Sequence, residues 1–189
     1  MNPPLAILGG TFDPVHNAHL AMARCALEQL GAARVLWLPT GAPHYRKPPV
    51  ASAADRVAML RLAIAGEPRY SIDQRELLPA ASGYTFDSML AVRAELDSKT
   101  PIVLLLGADQ YAKIETWYRW GDLMKLCRLA VFARPGWNPP DGRVERVSLP
   151  EMDISATDIR TRVALGQAIE GLVPAPVLGY ILEHGLYRD

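Results

Sequence analysis

Four stretches of the chain are apolar without a polar break: Leu5–Leu8, Val35–Leu38, Ile102–Leu106 and Leu129–Phe132. Short runs with no alternation fit strands buried on both faces, as in a parallel sheet. Between them the apolar positions switch to helical spacing. Leu20, Ala23, Leu27 and Leu30 mark a first helix that Gly31 closes, and Val57, Leu60 and Ile64 a second, running from about Ser52 to a stop at Gly66. Thr85 opens a third with Met89, Val92 and Leu96 inward, and Trp117 to Leu126 reads as a fourth. Ser155 reads as the N-cap of a fifth, and a last helix from about Pro174 carries Leu178, Ile181 and Leu182. Short strands are expected at Tyr70–Asp73 and near Val144–Val147, the latter inside a polar, proline-containing connection over 137–150.

Strands alternating with helices, several strands apolar throughout, imply an α/β fold: a doubly wound parallel sheet covered on both faces, in one domain. Ligands in such folds bind beyond the carboxyl ends of the strands, at a topological switch point. The segments Gly9–His19, Pro39–Lys47, Gly107–Asp109 and Arg134 each directly follow a strand, which makes them the candidate functional segments.

Composition narrows the partners. Lys plus Arg and Asp plus Glu are equal at 20 each among 189 residues, so no global field draws the chain to nucleic acid or to a membrane surface, and any anion site is local. No stretch approaches the roughly 18 apolar residues of a membrane span. The first residues lack a basic segment followed by a long apolar one, so no signal peptide is expected. Cys25 and Cys127 are the two cysteines; both read as buried free thiols, and a reducing cytoplasm is the expected compartment.

The candidate chemistry concentrates in residues 5–20. A strand enters Gly9–Gly10, where no Cβ holds a ligand at a distance. Asp13 and Pro14 punctuate the loop, and His16 and His19 are expected on one face of the opening helical turn. Helix N-termini carry unpaired amides and a positive dipole end, so an anion is the natural guest. The histidines admit three readings: a structural cap, a metal site with Asp13, or an anion-binding pair with a further hydrogen bond from Thr11. No Walker-type phosphate loop, no G-x-G-x-x-G after the first strand and no G-x-S-x-G elbow occurs.

Gly9-Gly10-Thr11-Phe12-Asp13-Pro14-Val15-His16-Asn17-Ala18-His19 resembles the first signature of the HxGH nucleotidyltransferase superfamily. Ile154-Ser155-Ala156-Thr157-Asp158-Ile159-Arg160 resembles its second, I-S-x-T-x-[IV]-R, near the carboxyl end. Ala18 stands where the signature usually has glycine. The resemblance spans essentially the whole chain and is closest to the bacterial nicotinate-nucleotide adenylyltransferase branch. It implies a Rossmann-like nucleotidyltransferase domain over 1–189, with the helical segment 154–189 completing the ATP site. The implied reaction joins nicotinate mononucleotide to the adenylyl group of ATP, giving deamido-NAD and pyrophosphate.

The resemblance also implies roles. His16, His19 and Arg160 become the catalytic residues, with Arg160 on the β- and γ-phosphates. Gly9, Gly10, Thr11, Phe12, Gly107, Asp109, Ser155 and Ile159 join them in the ATP site, the Gly107–Asp109 corner at the ribose. His44 with Arg46 or Lys47, on a basic loop, and Arg134 are expected to bind the mononucleotide. Tyr84, Thr85, Trp117 and Tyr118 become the pyridine-recognition elements. Magnesium is expected mainly through the ATP phosphates, with no dedicated protein metal site. Alternatives are a pantetheine-phosphate or nicotinamide-mononucleotide adenylyltransferase, or a non-catalytic nucleotide sensor on the same fold. Monomer and homodimer both stay open.

Overall fold

Each continuous apolar run becomes a strand of one parallel sheet. The computed structural model describes residues 2–41, 47–133, 144–149 and 152–188. Its strands are β1 (Leu5–Gly10), β2 (Arg34–Pro39), β3 (Tyr70–Ile72), β4 (Ile102–Gly107), β5 (Arg128–Ala133) and β6 (Val144–Ser148). Its helices are α1 (Asn17–Gln29), α2 (Ala53–Ile64), α3 (Thr85–Glu95), α4 (Ala108–Tyr111), α5 (Trp120–Leu126), α6 (Ala156–Ala164) and α7 (Ala175–Glu183). The strand order is β3-β2-β1-β4-β5-β6 and every pairing is parallel. The order reverses between β1 and β4, which opens a crevice at their carboxyl ends.

The period of two along each strand divides the core. Ala6, Leu8, Val35, Trp37, Val103, Leu105, Ala130 and Phe132 share one cluster with residues of α1, α2, α6 and α7. Leu5, Ile7, Leu38, Leu104, Leu106, Leu129 and Val131 share the other with residues of α3 and α5. Both faces are therefore apolar, which is why these strands read as unbroken runs rather than alternating ones. Burying each large side chain contributes roughly 1.5–3 kcal/mol.

One expectation changes, and one short helix is added. Trp117 to Leu126 is not one helix: a 3₁₀ turn, Ile114–Thr116, precedes an extended Trp117 (ψ 144°) and a left-handed Arg119 (φ 53°). The Arg119 guanidinium lies 4.2 Å from the Phe86 ring centroid and pairs with Asp122 at 2.7 Å, which holds the break. The short strand expected near Val144–Val147 is present as the edge strand β6, paired with β5 from Leu129↔Val144 to Ala133↔Ser148. The short helix α4, absent from the apolar pattern, follows β4 directly. Among the described residues no helix is long and apolar enough to cross a membrane.

Candidate functional site

The glycines belong to the strand rather than to the turn: β1 runs through Gly10, and the left-handed residue after it is Phe12 (φ 50°). A Cβ on Gly10 would stand 3.0 Å from the Phe12 ring, so the missing side chain is what lets Phe12 fold back over the strand end. Phe12 is buried, edge-on to His19 at 5.0 Å between ring centroids and 5.4 Å from Trp37.

His16 is not inside the helical turn; it is the extended N-cap of α1 (φ −143°, ψ 171°), with His19 at the third helical position. The His16 backbone N–H donates to His19 Nδ1 at 3.3 Å, and the rings stack at 3.6 Å and 23°. An Nδ1 that accepts leaves the ring proton of neutral His19 on Nε2. Burial pushes His16 down to about 4. Burial and the neighbouring His16 hold His19 well below the usual histidine range. Both rings are thus neutral near pH 7, and among the described residues His16 Nδ1 has no hydrogen-bond partner.

Asp13 is buried and braces the loop instead of facing a metal. Its carboxylate accepts from the amides of Val50 (2.7 Å) and Ala51 (3.1 Å) and from the Tyr187 hydroxyl (2.8 Å). Among the described residues no group of three or more His, Cys, Asp or Glu side chains could hold a metal ion. Ser155 caps α6, its hydroxyl accepting from the Asp158 amide at 3.1 Å. One turn on, Arg160 donates to the Asp13 backbone carbonyl at 2.7 Å and to Thr157 Oγ1 at 3.3 Å.

These elements enclose a cavity of about 1000 Å³ at the crevice between β1 and β4. Gly9, Gly10, Thr11, Phe12, His16 and His19 line its floor. Lys47, Gly107, Asp109, Ser155 and Arg160 line its walls. Met22, Phe132, Leu149, Met152 and Ile154 contribute apolar lining, and Ala18 also lines the cavity. Ile159 does not belong to the lining: its side chain is fully buried in the core and its N–H donates to the Ser155 carbonyl, so it anchors α6 from beneath. His44, Arg46 and Arg134 lie outside the described residues.

The four aromatic-region residues do not line this cavity either. Tyr84 caps α3, which begins at Thr85, and its ring lies 4.5 Å from that of the half-exposed Tyr118. Trp117 packs partly buried against the core cluster beneath α3 and α5 instead of presenting an open face. The first turn of α3 carries the positive end of the helix dipole, with the Asp87 amide donating to the Tyr84 carbonyl at 3.1 Å.

Two residues that hold the site were not picked out from sequence. Arg56, 2% exposed, donates to the carbonyls of Thr11 (2.6 Å) and Thr40 (2.9 Å), tying the ends of β1 and β2 together. Its signal was its place one turn before Leu60 on the buried face of α2, where an arginine needs a polar reason. Tyr187, the hydroxyl on Asp13, carried no signal.

The model of the cytidylyltransferase-like family matches residues 7–162. A protein of Laribacter hongkongensis named "Probable nicotinate-nucleotide adenylyltransferase" is 42% identical over 208 residues, covering 98% of this chain and 94% of the relative. One of the same name from Chromobacterium violaceum is 37% identical over 212 residues and covers 100% of both. The solved nicotinic acid mononucleotide adenylyltransferase of Plasmodium falciparum, complexed with NaAD, superposes with a TM-score of 0.82 at 16% identity over 98% of each chain. At that identity the likeness is one of fold.

Proposed function

The chain belongs to the cytidylyltransferase-like family, and from that premise we propose that it transfers the adenylyl group of ATP to nicotinate mononucleotide, giving deamido-NAD and pyrophosphate in NAD biosynthesis. One observation carries the reading: the glycine end of β1, the stacked His16–His19 pair and Arg160 line a single cavity at the switch point of the sheet.

The acceptor's phosphate needs no general base, because a phosphomonoester is already mostly dianionic at neutral pH. One of its oxygens attacks the α-phosphorus of ATP; the bond from that phosphorus to the bridging oxygen breaks, and pyrophosphate leaves with the electron pair. Charge grows on the α-phosphoryl oxygens and the leaving group, so catalysis reduces to alignment and electrostatic stabilisation. His19, its tautomer set by the His16 amide, offers Nε2–H to that charge as a neutral donor. His16 adds its ring, and the positive end of the α1 dipole adds its field. Arg160, already oriented by the Asp13 carbonyl, faces the β- and γ-phosphates.

The apolar lining contributed by Phe132, Met22 and Met152 suits the adenine base, and the Gly107–Asp109 corner its ribose. Lys47, which lines the cavity, is the candidate for the mononucleotide phosphate, with His44, Arg46 and Arg134 as further candidates. Tyr118 with Tyr84 supplies the aromatic surface for the pyridine ring, and Trp117 backs it from the core. The first amides of α3, around Thr85, favour a carboxylate over a carboxamide, whose NH₂ would oppose a donor. Magnesium fits this donor set as a phosphate-held ion: it keeps several waters and needs few protein ligands, and when bound it neutralises triphosphate charge. Two buried free thiols accord with a cytoplasmic setting.

The test is product formation: incubation with ATP, magnesium and nicotinate mononucleotide should yield deamido-NAD by mass spectrometry, with stoichiometric pyrophosphate. His19→Ala should lower turnover by roughly 10²–10³-fold with an unchanged circular dichroism spectrum. Wild-type turnover in that variant contradicts the assigned role.

A further inference from the structure

The β1–α1 loop, residues 11–16, carries the phosphate-handling groups, yet three distant parts of the chain fix its shape. α2 holds the Thr11 carbonyl through Arg56, α6 holds the Asp13 carbonyl through Arg160, and the segment after α7 holds the Asp13 carboxylate through Tyr187. Tyr187 is 174 residues from Asp13 and does not line the cavity. It is buried and sits in a left-handed conformation (φ 65°), two residues after another left-handed residue, Gly185. The turn is tied back to α7 by Leu186 N–H donating to the Ile181 carbonyl at 3.0 Å. Burial and the adjacent carboxylate raise the Tyr187 phenol far above its usual range, so it stays a donor at every working pH.

We propose that Tyr187 is a positioning residue for ATP, acting through Asp13: its hydroxyl fixes the Asp13 carboxylate, and the Asp13 carbonyl in turn aims the Arg160 guanidinium into the cavity. This rests on the reading of Arg160 as a triphosphate ligand given above. The geometry makes the effect selective. With Tyr187 altered, the amides of Val50 and Ala51 still hold Asp13, so the segment from Lys47 to Ala51 keeps its anchor while the Arg160 side of the loop is released.

Tyr187→Phe removes one oxygen and preserves the ring. Titration calorimetry should show its Kd for magnesium-ATP raised about tenfold, the loss of one hydrogen bond to a charged group, while the Kd for nicotinate mononucleotide stays within about twofold. An unchanged ATP Kd, or equal weakening of both ligands, overturns the proposal; a merely stabilising tyrosine would lower Tm and move neither. Wild-type hydrogen exchange supplies a second reading that needs no variant: saturating magnesium-ATP should slow exchange at residues 185–188 together with residues 11–16. Protection of the loop alone overturns the link. Neither measurement involves transfer to an acceptor. A wild-type protein that binds ATP but makes no deamido-NAD would therefore contradict the function and leave the Tyr187 comparison decisive.

Discussion

At the scale of single residues, burial withholds charge from the two histidines of the cavity. His16, 5% exposed and pushed down to about 4, binds a proton more readily in the unfolded chain than in the folded one. Between its unfolded value near 6.5 and about 4, the unfolded state therefore carries the extra proton, and stability falls as pH drops through that window. The contribution of His16 is complete above pH 6.5 and amounts to roughly 3 kcal/mol by the shift alone. Urea unfolding at pH 7 and pH 4.5 should show the loss. His19, also held low, contributes to the same window, so His16→Gln should reduce the difference and His16→Gln with His19→Gln should reduce it further. In the free protein, the NMR resonances of His16 should titrate near 4 and not near 6.5. Sequence supplied these two histidines and their neighbours because both lie within one short signature. It did not supply their state: stacking, capping and desolvation depend on Phe12 folding over Gly10, which a list of residue types does not contain.

At the scale of elements, the strands were legible because burial on both faces leaves an unbroken apolar run. The helix boundaries at Gly31, Ser52, Thr85 and Ser155 were legible through their turn and capping residues. The break at Trp117–Arg119 was not, since Trp117, Trp120 and Leu123 keep a helical spacing across it, and the left-handed Arg119 is held by Phe86 and Asp122. Ile159 misled in the other direction: it lies within the second signature, but its side chain serves the core. The links between elements were the least legible, because their partners lie far apart in sequence. Arg56 is 45 residues from Thr11. Arg56→Leu would keep the apolar fit of α2 but strand the carbonyls of Thr11 and Thr40. A cost of roughly 2–4 kcal/mol follows, or a fall in Tm of roughly 5–15 °C by calorimetry. A Tm within a degree or two of wild type would show that Arg56 is not the clamp between β1 and β2.

At the scale of the whole molecule, the parallel sheet does two things. It gives each face a separate apolar core, and it gathers the carboxyl ends of β1 and β4 with the loops after β2 and β6 around one cavity. The amino-terminal and carboxyl-terminal parts of the chain meet there: the loop after β1 is held by α6 and by Tyr187. With formal charges balanced at 20 of each sign, the attraction for two anionic substrates comes from helix ends and a few placed cations rather than from the overall field. In the proposed reading, discrimination among acceptors rests on the corner formed by α3, Tyr84 and Tyr118. The central claim is tested most directly by pyrophosphate release from magnesium-ATP with nicotinate mononucleotide, nicotinamide mononucleotide and phosphopantetheine as parallel acceptors. The expected result is a kcat/KM for nicotinate mononucleotide at least about 100-fold above either rival, as unpaired polar groups in the wrong complex require. A higher kcat/KM with another acceptor, or no release with any of them, would contradict it.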